Sequence, residues 1–187
     1  SGPPQPKATT RCRIVSEHGW ADLVGPTVCR TLTPDEVAVV RGKLGPDPLN
    51  ADADPGQFYR AAAKSSRPIG VILMDQAAIS GVGNIFRAES LYRQKIDPLR
   101  PGKTLSDDEL RRLWDDNKHL LTIGVRVGRI ITTEQQDRPG IPETEAWPDH
   151  ANYVYMRHGQ KCPRCGATIR MEEIAGRKLY WCPGCQK

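Results

Sequence analysis

The sequence lacks a long hydrophobic run. No stretch of its 187 residues approaches the roughly 18 to 20 apolar residues that a membrane-spanning helix needs. It also lacks the pattern of a secretory signal peptide. We therefore expect a cytoplasmic protein without a membrane partner, whose thiols stay reduced. Charged residues make up 26% and apolar residues 38% of the chain, which is typical of a globular protein.

Cysteine is scarce, and four of the six cysteines form two pairs near the C-terminus. The pairs Cys162-Pro-Arg-Cys165 and Cys182-Pro-Gly-Cys185 are separated by residues 166–181. This spacing is typical of four thiolates that bind one structural zinc ion, and a metal would stabilise a segment too short to fold alone. Two disulfides or four unrelated thiols are the alternative. Cys12 and Cys29 are predicted to be reduced, with a disulfide as the alternative.

Acidic charge is scarce in the segment that holds these pairs. Residues 153–187 contain seven Lys or Arg and two Glu, and the resulting excess equals the +5 net charge of the whole chain. A small basic metal-binding module favours a polyanionic ligand, because each cation near a phosphate releases counterions. A solubilising surface is the alternative explanation of this charge.

The first 48 residues contain no recognisable catalytic set. Residues 11–31 show two short β-type runs punctuated by Gly19 and Gly25, and these predict two strands of a larger sheet. Thr33-Pro-Asp-Glu36 is a capping sequence that predicts a short helix.

Three further helices are predicted downstream. Residues 55–66 form one with Phe58 and Ala62 on its inner face, and residues 68–78 form an almost wholly apolar one. Residues 106–128 form a long amphipathic helix behind the capping box Ser106-Asp-Asp-Glu109, and its Trp114 and His119 are interpreted as structural. Residues 132–152 are rich in proline and acidic residues and predict a linker.

Between these helices lies the stretch Ile79-Ser-Gly-Val-Gly-Asn84, which opens a new helix. Gly81 and Gly83 allow tight turns and the close approach of another molecule. Asn84 lies at the helix N-terminus, where free amides and the helix dipole favour an anion. The segment therefore has the form of a phosphate clamp, although a capped helix hairpin without a ligand is an equal alternative.

Two segments together resemble a known family. Leu73-Met-Asp-Gln, Gly81-Val-Gly-Asn-Ile-Phe-Arg-Ala-Glu-Ser-Leu-Tyr and Ile-Asp-Pro98 resemble the helix-two-turn-helix signature of the formamidopyrimidine-DNA glycosylase / endonuclease VIII family. The cysteine segment, from Val154-Tyr-Met-Arg-His-Gly to its Tyr-Trp-Cys-Pro-Gly-Cys-Gln ending, resembles that family's zinc finger, and the ending is closer to the endonuclease VIII branch. The resemblance covers residues 20–187.

The resemblance implies a mainly α fold with small β-structure. We expect the tail of a β-sandwich in residues 1–32, a helix-two-turn-helix domain in 33–131, a linker in 132–152 and a zinc finger in 153–187. It also implies a monomeric DNA glycosylase and apurinic/apyrimidinic lyase that flips oxidised bases out of damaged double-stranded DNA, cuts the strand by β/δ-elimination and acts at the nucleoid.

The family's nucleophile is the amine of an N-terminal proline, assisted by a neighbouring glutamate. The printed sequence opens with Ser1-Gly-Pro-Pro-Gln, and Pro3 and Pro4 are not substitutes because neither is N-terminal. We therefore expect the polypeptide as printed to contain no catalytic residue and to lack glycosylase and lyase activity.

What the resemblance assigns to this chain is DNA binding and one structural zinc. Asn84, with amides near Gly83, is expected to hold a backbone phosphate, and Arg177 to grip phosphates flanking the lesion. Tyr155 and Arg157 are expected to line the DNA face. The implied zinc ligands are Cys162, Cys165, Cys182 and Cys185.

Other polar residues of the clamp region are given structural or surface roles. Arg87 and Lys95 are predicted to lie on a solvated face. Glu89 is predicted to orient the turn that precedes its helix. The alternative function for the whole chain is a zinc-ribbon module that binds nucleic acid without catalysis.

Overall fold

The computed structural model describes residues 2–187, and the chain divides after Gly42 into two compact units. The first unit holds an antiparallel hairpin of β1 (Thr10–Ser16) and β2 (Gly19–Val24), followed by helix α1 (Pro34–Arg41). Arg13 Nε donates to Asp22 Oδ1 at 2.6 Å across the hairpin. Thr33 and Glu36 cap α1 reciprocally, which confirms the predicted capping box.

The second unit, Lys43–Lys187, is built from four helices and a second hairpin. The helices are α2 (Gly56–Ala63), α3 (Ile69–Ile72), α4 (Asn84–Arg93) and α5 (Asp107–Val127), and the hairpin pairs β3 (Arg170–Ile174) with β4 (Arg177–Trp181). Three 3₁₀ turns lie at Gly102–Thr104, Gln135–Asp137 and Glu143–Glu145. The expected mainly α fold with small β-structure is confirmed. No helix of the described residues is both long and apolar enough to cross a membrane.

The long helix α5 agrees closely with its prediction. Ser106 and Glu109 form the capping box, and Gly128 ends the helix in the left-handed conformation at φ 70°. Leu110, Leu113 and Trp114 are buried, as the apolar spacing predicts. The sequence therefore contained both end signals of this helix.

The predicted helix 68–78 is wrong in length, because α3 spans only Ile69–Ile72. After Leu73 the backbone tightens into i→i+3 turns, with Asp75 N–H donating to the Ile72 carbonyl. The Asp75 carboxylate accepts from Ala77 N–H and pairs with Arg67 at 2.8 Å. Side-chain capping of this kind competes with helix continuation, and apolar composition alone did not reveal it.

Helix α4 is the central element of the second unit. All residues from Phe86 to Tyr92 are buried, so the helix has no solvent face along that length. Phe86 and Leu91 belong to a core shared with α2, α3 and α5, whereas Ala88 and Tyr92 belong to a second core shared with the β3–β4 hairpin. One helix thus stabilises both halves of the unit.

The carboxylate of Glu89 joins α4 to the chain that enters the hairpin. Glu89 is fully buried, and its oxygens accept hydrogen bonds from the backbone N–H groups of Tyr153, Val154 and Tyr155 at 2.7 to 2.8 Å. The Thr132 hydroxyl donates a fourth bond at 2.6 Å. A buried carboxylate is stable only when it is saturated in this way. Glu89 thus fixes the backbone at residues 153–155 against α4.

The segment 132–152, expected to be a linker, is tied down at both ends. Thr132 N–H donates to the Ala151 carbonyl at 2.8 Å. Ile131, Ala146 and Ala151 form a small buried cluster. Arg138 is also buried, and its guanidinium donates to the Ile141 carbonyl at 2.7 Å. The segment is an ordered loop that closes on itself.

We expect Glu89→Gln to lower the free energy of unfolding by about 2–4 kcal/mol. The substitution removes the charge and turns an –NH₂ group toward backbone donors in a buried site. Urea unfolding of the zinc-loaded protein measures the change. Glu172→Gln, on the exposed edge of β3, is the matched control and should shift stability by less than about 0.5 kcal/mol. Equal stability of the two variants would contradict this role for Glu89.

Candidate nucleic-acid interface and metal centre

The two turns before α4 are organised by Gln76. Its amide nitrogen donates to the Val82 carbonyl at 2.8 Å, and its amide oxygen accepts from Gly81 N–H at 3.0 Å. Gly81 has φ 84°, a conformation that favours glycine. Gly83 has an ordinary φ of −111°, and an added Cβ there would meet nothing within 4 Å. Gly81 is therefore needed by the turn, whereas Gly83 leaves the backbone open to another molecule.

Asn84 begins α4 and reaches the zinc-finger hairpin. Its Nδ2 donates to the Lys178 carbonyl at 3.0 Å, and its Oδ1 accepts from Arg87. No side chain caps this helix. The first N–H groups of the helix are therefore available to an anion that the helix dipole favours.

The prediction that Arg87 lies on a solvated face is wrong, because the residue is only 1% exposed. Its guanidinium donates to Asn84, to the Gly70 carbonyl at 3.2 Å and to the Lys178 carbonyl at 3.3 Å. All three acceptors are neutral, and the Nε of Arg87 has no partner among the described residues. Burial, and then the nearby charge of Arg177, lower the pKa of Arg87 to about 10. The site therefore holds a buried cation without a carboxylate.

Arg177 follows the turn of the β3–β4 hairpin. Ala175 and Gly176 take φ 51° and 71°, which gives the tight two-residue turn typical of such hairpins. Arg177 itself is exposed, and no hydrogen bond or ion pair to its side chain is present within residues 2–187. Lys95, in contrast to Arg87, is exposed as expected.

Tyr155 and Arg157 lie on the chain that leads into the finger. Tyr155 is half-buried, and its ring packs edge-on against Tyr180 with centroids 5.4 Å apart. The guanidinium of Arg157 donates to Gln160 Oε1 at 3.0 Å and to the Tyr153 carbonyl at 3.0 Å. Together with Ile85 and Trp147 they line a recess of about 360 Å³. The structure thus brings both residues to one concave surface beside the start of α4.

The four paired cysteines come together as one sulfur cluster. All four Sγ atoms lie within 4.8 Å of one another, with Cys162–Cys185 at 3.7 Å and Cys165–Cys182 at 3.3 Å. Sulfurs at the corners of a zinc tetrahedron with Zn–S bonds near 2.3 Å would lie about 3.8 Å apart. The donor set and its spacing therefore fit one structural zinc, with no position left open for catalysis.

Backbone constraints hold the second cysteine pair. A Cβ added at Gly184 would lie 2.8 Å from Cys165 Sγ and 3.0 Å from the Ala167 Cβ. Gln186 is buried, accepts from Cys182 N–H at 2.8 Å and donates to the Ile96 carbonyl at 2.9 Å. The pair is thereby fastened to the loop that follows α4.

A tyrosine from α4 reaches the first pair, where the Tyr92 hydroxyl lies 3.2 Å from Cys162 Sγ. Burial, and then the bond to Cys162, raise the pKa of Tyr92 above its usual value. Burial raises the pKa of the Cys162 thiol, but bonds from Tyr92 and from the N–H groups of Cys165 and Arg164 outweigh it and lower the pKa to about 6. The thiolate that zinc requires is therefore favoured at this position.

Sequence reasoning missed three residues of this region. The side-chain amides of Gln76 and Gln186 each donate one hydrogen bond and accept another. Tyr92, which reaches Cys162, lies in a stretch whose pattern predicts only helix packing. The apolar pattern predicts the burial of helix α4 only in part, because the polar residues Arg87, Glu89 and Ser90 interrupt that pattern.

The two parts define a class of DNA-binding protein that joins a helix-two-turn-helix domain to a four-cysteine zinc finger. Residues 44–136 match the formamidopyrimidine-DNA glycosylase H2TH domain, and residues 159–187 match the zinc finger found in FPG and IleRS. The chain is 44% identical over 184 residues to "Endonuclease 8 1" of Mycobacterium tuberculosis, a match that covers 98% of this chain and 68% of that protein. It belongs to the formamidopyrimidine-DNA glycosylase / endonuclease 8 family.

Other relatives extend this comparison. The formamidopyrimidine-DNA glycosylase of Thermus thermophilus is 39% identical over 150 residues, covering 77% of this chain and 54% of that protein. The crystal structure of the MutM (FPG) protein from Thermus thermophilus matches with a TM-score of 0.72 and 31% identity, covering 97% of this chain and 70% of that one. Lactococcus lactis FPG in complex with FAPY-dG containing DNA matches with a TM-score of 0.65 and 29% identity, covering 82% and 56%. The chain thus spans between about half and about two thirds of these proteins.

We expect Gly184→Ala to weaken zinc binding by roughly tenfold, the scale seen when groups that position metal ligands are altered. The new methyl group must displace Cys165 Sγ from its position. Competition with a chromophoric chelator measures the affinity. Gly124→Ala in α5 is the control, because its Cβ would meet only ordinary contacts of 3.6 Å or more and should leave zinc affinity unchanged. Wild-type affinity in Gly184→Ala would show that the close approach is relieved without moving the ligand.

Proposed function

We propose that this chain is the DNA-binding part of a base-excision-repair DNA glycosylase and apurinic/apyrimidinic lyase that acts on oxidised bases in double-stranded DNA. In this proposal two parts of the chain bind the DNA strand, residues 33–131 and residues 153–187, and residues 132–152 connect them. Residues 1–32 are the tail of a β-sandwich. The observation that carries the proposal is the junction of the uncapped N-terminus of α4 with the zinc-finger hairpin, where Asn84 and Arg87 both bond to the Lys178 carbonyl.

Three features of that site favour an anion. Helix α4 has an N-terminus without a side-chain cap, and the partly exposed Asn84 lies at its first position. Buried Arg87 and exposed Arg177 are close enough for the second charge to lower the pKa of the first. Two neighbouring guanidinium groups with no carboxylate between them repel each other, and a bound phosphate removes that cost. In this proposal the helix terminus and the two cations therefore serve one backbone phosphate.

The remaining surface supports a polyanion rather than a small anion. The excess positive charge of the chain lies in residues 153–187, next to this site. Tyr155 and Arg157 line the neighbouring recess and add an aromatic face and a cation. The solved relatives include Lactococcus lactis FPG bound to DNA containing FAPY-dG or an abasic site. Damaged DNA is therefore the partner that we propose for this surface.

We also propose that the printed residues alone bind DNA without cleaving it. A lysine acts as a nucleophile when burial or a neighbouring charge lowers its pKa. Every lysine in residues 2–187 is exposed, including Lys178 beside the phosphate site. Zinc in a closed four-sulfur site has no free position for water or substrate. In this proposal residues 2–187 supply positioning and charge rather than the reactive amine.

Arg177→Ala is expected to weaken binding to a duplex with an abasic-site analogue by about 10- to 100-fold, on the scale of one charge-assisted hydrogen bond. Fluorescence anisotropy at several salt concentrations measures both affinity and its salt dependence. Loss of one phosphate contact should also lower the slope of log K against log salt by about 1.

Arg170→Ala is the matched control for this variant. Arg170 is an exposed arginine of the same hairpin, paired with Trp181 at the end away from the turn. Its loss should change affinity by less than Arg177→Ala at every salt concentration. Equal effects of the two variants would contradict a specific phosphate contact for Arg177.

Borohydride trapping tests the absence of a nucleophile. A lyase that forms an imine with an abasic site is reduced to a stable covalent adduct, so we expect none from the 187-residue polypeptide. A gel-shift assay with the same duplex at the same protein concentration shows that the protein binds the DNA. A covalent band that appears only with borohydride would refute the proposal that these residues lack the reactive amine.

A further inference from the structure

We propose that Tyr92, a residue of helix α4 rather than of the zinc finger, completes the zinc centre by donating a hydrogen bond to the Cys162 thiolate. This inference concerns the metal site alone and stands whether or not the chain binds DNA.

The geometry leaves the hydroxyl only one role. Tyr92 is fully buried and Cys162 is 3% exposed, so water is excluded from both partners. The hydroxyl oxygen lies 3.2 Å from Cys162 Sγ, within hydrogen-bonding range for sulfur. A cysteine that binds zinc is a thiolate and carries no proton. The hydroxyl is therefore the donor and the sulfur the acceptor.

Packing holds the Tyr92 ring in the orientation that makes this hydrogen bond. It stacks on Tyr153 with centroids 4.9 Å apart and an interplanar angle of 29°. The guanidinium of Arg164, which lies between Cys162 and Cys165 in the sequence, sits over both rings at 5.4 and 4.5 Å. Arg164 also pairs with Asp137 at 2.8 Å. Arg164, which lies between the two cysteines of the first pair, thus holds that pair against α4.

This contact differs from the other contacts of the sulfur cluster. The second pair is fixed through Gln186, which bonds to backbone rather than to sulfur. Among the described residues Tyr92 is the hydroxyl that reaches a cysteine sulfur. Groups that hydrogen-bond to metal ligands set ligand orientation and metal affinity. The affinity for zinc should therefore depend on a side chain outside the finger sequence.

Tyr92→Phe tests the proposal, because it removes one oxygen and keeps the ring. We expect zinc affinity, measured with a chromophoric chelator, to fall by about tenfold. In the cobalt-substituted protein the sulfur-to-cobalt charge-transfer band should shift, since one thiolate has lost its hydrogen bond. Circular dichroism of the zinc-loaded variant establishes that it is folded.

Tyr153→Phe is the matched control. It removes the hydroxyl of the stacked partner, which bonds to Asp137, Arg164 and Glu134 N–H but to no sulfur. Its cobalt band should coincide with that of the unsubstituted protein. An unchanged band and affinity in Tyr92→Phe, or an equal band shift in Tyr153→Phe, would overturn the proposal.

A measurement on the unsubstituted protein covers the case in which Tyr92→Phe does not fold. Iodoacetamide alkylation of the zinc-loaded protein, mapped by mass spectrometry, ranks the reactivity of the four sulfurs. Cys182 is as buried as Cys162 but receives no hydroxyl, so Cys162 should react more slowly than Cys182. Faster alkylation of Cys162 than of Cys182 would contradict a hydrogen bond from Tyr92.

Discussion

The buried carboxylate of Glu89 is the interaction on which the rest of this unit depends. Glu89 lies within helix α4 and is fully removed from solvent. Its carboxylate oxygens accept hydrogen bonds from three consecutive backbone N–H groups and one hydroxyl. Such a charge is tolerable only while all of these donors stay in place. The backbone at residues 153–155 is therefore held in one register against α4, and the zinc finger begins from that fixed point.

The zinc finger consequently packs against the helical part of the second unit and does not form a separate domain. Ala88 and Tyr92 of α4 belong to the core of the finger, and Gln186 returns to the Ile96 carbonyl after the same helix. Asn84 and Arg87 both bond to the Lys178 carbonyl beside Arg177. The residues proposed to contact phosphate thus come from two distant parts of the sequence and are held together by these bonds. The metal centre and the proposed phosphate site therefore depend on the same helix.

Two predictions were wrong, the length of helix 68–78 and the exposure of Arg87, and in both places a polar side chain bonds to the backbone. Helix α3 ends early because Asp75 captures the N–H of Ala77. Arg87 was assigned to a solvated face because arginine is rarely buried, but here its guanidinium crosses to the hairpin. The proline-rich segment 132–152 carries no periodic pattern and still forms an ordered loop, since its bonds link residues far apart, such as Thr132 and Ala151. Local propensity contains no information on distant partners such as those of Arg87 and Thr132.

The local sequence was enough to predict the capped ends of α1 and α5, the two strands of the first unit and the four cysteines of the metal site. Each of these depends on side chains within a few residues of one another, or on a ligand spacing that the metal imposes. The packed structure was needed to show that Arg87 is buried near Arg177, that Glu89 organises the entry to the finger and that Tyr92 reaches Cys162. These contacts join residues 64 to 90 positions apart, as in the bond from Tyr153 N–H to Glu89 and the contact of the Tyr92 hydroxyl with Cys162 Sγ. Burial and distance between such residues exist only once the whole unit has packed.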